Sequence, residues 1–147
     1  MVQPAGNGVQ TPPRQAGGGG PATYSSNLNS LLAGMIARTP GAVHAVMATV
    51  DGVQIAVSAG LPPERADQLA TIGAGLLSIA DGAGIMMNTG TPRHVVVEMY
   101  GGLLLAAPVA PRVVLSLLAA ENADRERLGF ELAQFAGLIT PHVSHIK

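Results

Sequence analysis

The sequence predicts an α/β fold, a three-layer α/β/α sandwich around one five-stranded antiparallel sheet. Two turn signals, Asp51-Gly52 and Gly101-Gly102, each lie between apolar segments and so predict two β-hairpins. For Asp51-Gly52 we predict a type I′ turn, which needs positive φ at both central residues. The predicted strands are apolar at odd and even positions alike, and strands of that kind are covered on both faces. The helices must therefore lie on both faces of the sheet.

The first helix of this sandwich is predicted to begin near residue 25. Ser25 or Ser26 can cap it, because a side-chain hydroxyl accepts hydrogen bonds from the free N–H groups of a first helical turn. Thr39-Pro40-Gly41 ends it, since proline restricts the residue before it and glycine favours a turn. Two strands follow, at 42–50 and 53–59, on either side of the first turn signal.

The helix predicted at 63–87 organises the chain, and it carries two apolar stripes. One stripe recurs at alternating steps of three and four residues, which places its side chains along one side of a helix. The other is small or apolar, although an exposed helix face normally carries polar residues. We expect the first stripe to pack on the domain's own sheet and the second to meet another helix. The stripes are Leu69, Ile72, Leu76, Ile79, Ala83 and Met86, and Ala66, Ala70, Gly73, Leu77, Ala80 and Gly84.

The second half of the chain predicts three strands and a final helix. Asn122 or Asp124 can cap this helix, and its apolar stripe includes Leu128 and Phe135. We expect Pro141 to end it, because proline cannot donate the backbone hydrogen bond of a continuing helix. The elements before it are strands at 93–100, 103–107 and 112–119, with a loop at 108–111.

The third strand, at 93–100, begins a meander and is therefore predicted to lie at an edge of the sheet. It contains no Lys and no Pro, the residues that commonly block pairing at an exposed edge. This edge and the small-residue stripe of the central helix both predict self-association, so we expect a homodimer. Its predicted interface residues are Ala66, Ala70, Gly73, Leu77, Val95, Val97 and Met99.

Composition limits the remaining possibilities. The 147 residues, with a formal net charge of -1 and no Cys, fit one domain without disulfides, and we expect the cytoplasm. Eight Lys and Arg scattered along the chain give no basic surface for nucleic acid, and we expect no nucleic-acid partner. The longest apolar runs fall short of the roughly 20 residues of a membrane span, so direct membrane insertion is not expected. We place the domain at 25–141, between a disordered Pro- and Gly-rich tail at 1–24 and a polar tail at 142–147.

The side chains that could carry chemistry do not form a predicted catalytic or metal site, and we expect no enzyme. His94 and Glu98 share a strand face, but no nucleophile lies at a matching spacing, so a structural or interface role is favoured. His142 and His145 lack further metal ligands, and His44 is interpreted as a packed or rim residue.

The glycine pairs of the central helix do not predict a phosphate site, and we expect no cofactor. Gly73-Ala74-Gly75 and Gly82-Ala83-Gly84 are not at a strand-to-helix turn, and no Gly-Lys-Ser/Thr of a P-loop is present. We interpret these glycines as allowing close approach of a neighbouring element, at a cost of roughly 1 kcal/mol each in helix propensity.

Several segments in this order resemble the roadblock/dynein light chain family. They are 39–43 (TPGAV) leading into a strand, Asp51-Gly52 at the hairpin, 69–76 (LATIGAGL) in the central helix, and 97–99 (VEM) before Gly101-Gly102. The chain looks most like the bacterial, actinomycete-type members, which are encoded beside a sensor kinase and a Ras-like GTPase. The resemblance extends over about 28–139, and the loop at 108–111 and the histidine-bearing C-terminus depart from it.

The resemblance implies a homodimer whose sheets join edge to edge through the third strand, with the two central helices side by side. It also implies a scaffold or regulator that binds a small Ras-like GTPase and modulates its nucleotide cycle. A sensor histidine kinase is implied as a further partner, and recruitment to the membrane would occur through partners.

Three other interpretations of the sequence compete with this one. Arg125 or Arg127 could supply an arginine finger to a partner GTPase, but a solvent-facing, mixed-charge first turn is favoured. A small-ligand-sensing α/β/α domain is the main alternative, and it predicts an enclosed pocket with converging polar groups. An enzyme ranks third, because no nucleophile or metal constellation is present.

Overall fold

The computed structural model describes residues 21–143, with side chains described from residue 27 on. The predicted tail therefore lies outside the described residues at 1–20, and so do 144–147, including His145. The helices are α1 (Pro21–Arg38), α2 (Pro63–Met87) and α3 (Arg125–Val143). The strands are β1 (Ala42–Thr49), β2 (Gln54–Val57), β3 (Val95–Met99), β4 (Gly102–Ala110) and β5 (Val113–Ala119).

The predicted fold class and element order are confirmed. One five-stranded sheet has the strand order β2-β1-β5-β4-β3, and all neighbouring strands are antiparallel. Helices α1 and α3 share one face of the sheet, and α2 covers the other. This arrangement follows from strands that are apolar at both parities, because each face then needs its own cover.

Alternate residues of each central strand enter two separate cores. In β1, Ala45 and Met47 pack among residues of α1 and α3, whereas Val46 and Ala48 pack under α2. In β5, Leu115 faces the α1 and α3 side. The core on that side is the larger one and contains Phe135, which is fully buried. The core under α2 is smaller, so fewer side chains separate this helix from the sheet.

Helix α2 lies very close to the sheet at Gly73. A Cβ atom at this position would collide with Oγ of Ser116 in β5 and would lie 2.9 Å from Ser116 Cβ. Ala70 and Ala66, one and two turns earlier, are buried on the same side. The small-residue stripe therefore packs on the chain's own sheet, and the expectation that it meets a second helix is wrong.

The first hairpin has a different turn from the predicted type I′. Thr49 and Val53 close a three-residue loop, with the Thr49 N–H donating to Val53 O at 2.9 Å and the Val53 N–H donating to Thr49 Oγ1 at 3.2 Å. Gly52 has φ 87°, but Asp51 is not among the described residues with positive φ. This is the geometry of a longer hairpin loop in which a left-handed glycine follows the turn.

The predicted loop at 108–111 is wrong, because β4 continues to Ala110. Pro108 pairs with Val114 and Ala110 with Val113, with an irregularity between Pro108 and Ala110. Proline cannot donate to a ladder and is tolerated in a strand at such a bulge. The turn falls instead at residues 111–112, where Arg112 takes a left-handed φ of 63°.

The helix ends differ from the predictions in two places. Helix α1 begins at Pro21 rather than at a serine cap, since proline fits a first helical turn. Asp124 caps α3 as expected, with its Oδ1 accepting the Glu126 N–H at 2.9 Å. However, α3 runs past Pro141 to Val143, which is fully buried in the α1 and α3 core. Burial of Val143 outweighs the one hydrogen bond that a proline near a helix end removes.

A buried carboxylate joins α1 to α3. Glu131 is only 7% exposed, and its oxygens lie 3.6 Å from Arg38 Nε and 3.1 Å from Arg127 Nε. Arg127 Nη2 also donates to the Arg38 carbonyl at 3.4 Å. The two guanidinium groups compensate the desolvation of the carboxylate, and they fix the end of α1 against the start of α3.

By length and composition alone α2 could cross a membrane, since it has 25 residues and reaches a mean hydropathy of 1.5 over its most apolar window. The length of uninterrupted apolar runs does not reveal this property of α2, because Gly, Ser and Thr interrupt the runs. One such helix is weak evidence for a span. Here 33% of that window is buried, against the sheet of the same chain.

Replacing Gly73 with Ala tests the close approach of α2 to β5. We expect a loss of roughly 1–3 kcal/mol in the free energy of unfolding, because the added methyl meets Ser116 Oγ and Cβ together and rotation of the serine relieves only one contact. Gly129→Ala is the matched control, since a Cβ there meets nothing within 4 Å. It is expected to stabilise by up to about 1 kcal/mol through helix propensity.

Urea unfolding followed by circular dichroism measures both variants. Equal effects of Gly73→Ala and Gly129→Ala would contradict the packing described for α2.

Candidate interaction surface

The side of α2 that faces away from the sheet is apolar. Ile72, Ile79 and Met86 recur at intervals of seven residues, and Ile79 and Met86 are 75% and 78% exposed. Smaller residues lie between them along the same side. We call this surface the α2 outer face, and it comprises Ile72, Gly75, Ile79, Gly82, Ala83 and Met86. Exposed apolar surface of this extent marks an interface in most soluble domains.

Charged residues on α2 are concentrated at its start. Glu64, Arg65 and Asp67 are exposed in the first two turns, and Asp81 is the one further charge in the helix. Asp81 is half-buried and lies on the sheet side of the helix rather than on the α2 outer face. The outer face therefore carries no charge from Ile72 to Met86, a length of four turns.

Strand β3 is the last strand of the sheet, as predicted. It pairs with β4 from Val95↔Ala106 to Met99↔Gly102, and its other side is open within the part of the chain that the structure describes. Its sequence, VVVEM, contains no Lys and no Pro. An edge without these residues offers unpaired N–H and C=O groups to another strand.

The structure divides the predicted interface residues into two groups. Val95, Val97 and Met99 all belong to β3 and therefore lie along the open edge. Val95 and Val97 are half-buried beside α2, and Met99 is 47% exposed. The four predicted on α2 are already buried in their own subunit and have no surface left for a partner, which corrects that assignment. These four are Ala66, Ala70, Gly73 and Leu77.

The exposed apolar residues of α2 lie on the side of the helix that the sequence predicted to face the sheet. Ile72, Ile79 and Met86 belong to the stripe that was expected to pack on the sheet, but of that stripe only Leu69 is buried. Their seven-residue spacing was a usable signal, since it is the repeat of helices that pack on one another.

An ion pair lies beside the open edge. Glu98 Oε2 in β3 lies 2.7 Å from Nε of Arg125. Arg125 is the first residue of α3. Both side chains are about half exposed, at 63% and 47%. His94 is exposed just before β3, so Glu98 pairs with an arginine rather than with the histidine considered for acid–base chemistry.

The other predicted candidates do not converge on a site. Arg127 binds Glu131, and His142 is exposed at the end of α3. His44 is half-buried in β1, and its Nδ1 atom is buried without a hydrogen-bond partner. Within residues 21–143, no three His, Cys, Asp or Glu side chains are grouped as metal ligands would be.

A cleft of about 480 Å³ lies between α2 and the ends of two hairpins. Its floor is apolar and includes Leu77 and Val114, and its charged residues are Asp51, Asp81 and Arg112. Arg112 Nη2 lies 3.9 Å from Asp51 Oδ2, a weak and exposed pairing. The ligand-sensing alternative predicts an enclosed pocket with converging polar groups, and neither His94 nor Glu98 lines this cleft.

Comparisons with known proteins agree with the fold. The family model described as Roadblock/LC7 domain matches residues 28–119. A Roadblock/LC7 domain crystal structure from Streptomyces avermitilis is 33% identical, with a TM-score of 0.75, and the alignment covers 79% of this chain and 97% of that one. A second Streptomyces Roadblock/LC7 domain is 26% identical, with a TM-score of 0.63, covering 76% and 97%.

More distant structures share the fold alone. MglB from Myxococcus xanthus is 13% identical with a TM-score of 0.72, covering 81% of this chain and 89% of that one. No curated protein matched the chain. The family model spans more than half of the chain, from the middle of α1 to the end of β5. The chain belongs to the Roadblock/LC7 domain family.

Proposed function

We propose that this chain is a homodimeric scaffold and regulator of a small Ras-like GTPase, whose nucleotide cycle it modulates. The observation that carries the proposal is the presence of two unpartnered features, the α2 outer face and the open β3 edge. The edge strand lies beside α2, since Val95 and Val97 pack against the sheet side of that helix. A second copy related by a two-fold axis would cover both features at once.

The proposed dimer extends the sheet through β3. Two β3 strands pair in antiparallel fashion, which satisfies the N–H and C=O groups that each subunit leaves open. The two α2 helices then lie side by side above the joined sheet. Glycines at 75 and 82 allow the helices to approach, since a Cβ at either position meets nothing within 4 Å in the single subunit.

A joined sheet with two neighbouring helices is a broad, rigid platform, and platforms of this kind suit binding of another folded protein better than catalysis. Family membership supports a regulatory or scaffold role. The GTPase partner itself comes from the resemblance of the chain to actinomycete-type members, and a sensor histidine kinase is proposed as a second partner. We place the protein in the cytoplasm, with recruitment to the membrane through these partners.

Ile79→Lys tests the proposed dimer. Ile79 is 75% exposed in the subunit, so the change leaves the fold intact, but it places two like charges near the axis between the α2 helices. We expect a monomer by light scattering where the wild-type chain is a dimer. Val53→Lys, at a residue 63% exposed in the β1–β2 loop, is the matched control and is expected to remain dimeric.

If Ile79→Lys and Val53→Lys both remain dimers with the wild-type dissociation constant, the interface lies elsewhere. Circular dichroism of each variant separates loss of the dimer from loss of the fold.

Mass in solution tests the GTPase partner. The chain is mixed with the Ras-like GTPase encoded nearest to it, loaded with GTP or with GDP, and the mass is measured by light scattering. We expect a dimer that gains GTPase in one nucleotide state and not in the other, because a regulator must distinguish the two states. Hydrolysis and exchange rates then decide which step is modulated.

A chain indifferent to both nucleotide states would contradict the regulator proposal. Saturable binding of a small metabolite by the Ile79→Lys monomer would favour the ligand-sensing alternative instead.

A further inference from the structure

Glu98 is the one charged residue of β3, and it lies on the strand that is open to pairing. A charge on an edge strand normally protects the edge, because an incoming strand must desolvate it or meet a like charge. In this structure Arg125 Nε holds Glu98 Oε2 at 2.7 Å, from the face of the sheet opposite α2. The protecting charge is therefore compensated inside the subunit.

The position of Arg125 is not explained by the needs of α3. It is the first residue of that helix, where the free N–H groups and the helix dipole disfavour a cation. Asp124 already accepts the N–H groups of Glu126 and Arg127, at 2.9 and 3.3 Å. Within the subunit, the favourable contact that the Arg125 side chain makes is the one with Glu98.

Pairing of two β3 strands would bring the two Glu98 carboxylates together. In an antiparallel pair centred on Val97, Glu98 is opposite Val96 of the second copy and diagonal to that copy's own Glu98. Diagonal neighbours are roughly 7–8 Å apart, which is within the Debye length of about 8 Å at physiological ionic strength. Without Arg125, two like charges would face each other on one side of the joined sheet.

We propose that Arg125 is a specificity-determining residue for self-association, which keeps the β3 edge open to a second copy of this chain by neutralising Glu98. The proposal rests on the homodimer proposed above. It assigns α3 a part in the interface although α3 lies on the opposite face of the sheet. The recognised partner is a strand of the same sequence, whose Glu98 is compensated in the same way.

Dissociation constants of three variants test this assignment, measured by sedimentation equilibrium at low and at high salt. For Arg125→Ala we expect the dimer dissociation constant to rise about fivefold to tenfold at low salt, as two uncompensated carboxylates at this separation repel. Adding Glu98→Gln to Arg125→Ala removes the repulsion and is expected to restore the constant to within about twofold of wild type. The increase seen for Arg125→Ala alone should shrink at 0.5 M salt, where the charges are screened.

Arg112→Asn is the matched control. It removes an arginine from another exposed ion pair, Arg112 with Asp51, and asparagine tolerates the left-handed backbone found there. Arg112 lies in the β4–β5 turn, away from the edge, so its replacement should leave the dissociation constant unchanged.

The outcomes separate the two proposals. A wild-type chain that is monomeric overturns the proposed homodimer. A wild-type dimer that Arg125→Ala does not weaken, or that stays weakened after Glu98→Gln is added, overturns the role of Arg125 and leaves the homodimer standing. If the dimer stays weakened after Glu98→Gln is added, Arg125 acts through the structure of α3, and the weakening should not depend on salt.

Discussion

The contact of α2 with β5 at Gly73 fixes the orientation of the rest of the interaction surface. Because a helix turns about 100° per residue, placing Gly73 against Ser116 also determines which residues face outward. Ala66 and Ala70 then lie under the helix, and Ile72 and Ile79 point to solvent. A larger residue at the contact would lift or rotate the helix and so change the direction in which the exposed apolar stripe points.

This packing leaves much large apolar side-chain surface on the outside of the helix. The sheet side holds small residues together with Leu69 and Leu77, and the close approach gives many short contacts there, whereas Ile72, Ile79 and Met86 are left outside. Fully burying an isoleucine or methionine contributes roughly 1.5–3 kcal/mol. The free energy gained by burying a few such side chains from each subunit is comparable with the free-energy cost of bringing two proteins together. A second apolar surface is therefore enough to cover α2.

Prediction from sequence succeeded where local chemistry decides the structure. The bounds of α2 follow from Pro63 at the start and the turn residues after Met87, and both match. It failed where tertiary packing decides. Pro108 is locally a loop residue, yet β4 and β5 pair around it through a bulge. Periodicity revealed two faces on α2 but not which one faces inward, since small residues suit a sheet and a second helix equally well.

The two exposed features argue more strongly together than either does alone. A monomer that kept β3 unprotected would be prone to unspecific strand pairing, and one that kept Ile79 and Met86 exposed would be prone to unspecific apolar contact. In the proposed homodimer a single two-fold contact would remove both liabilities, since Val95 of the edge strand packs beside α2. In that dimer, strand pairing would fix the register and direction, and the helices would supply most of the apolar area. The specificity of the proposed contact would therefore depend on the edge, where the one charge on β3 is held by an arginine from its own subunit.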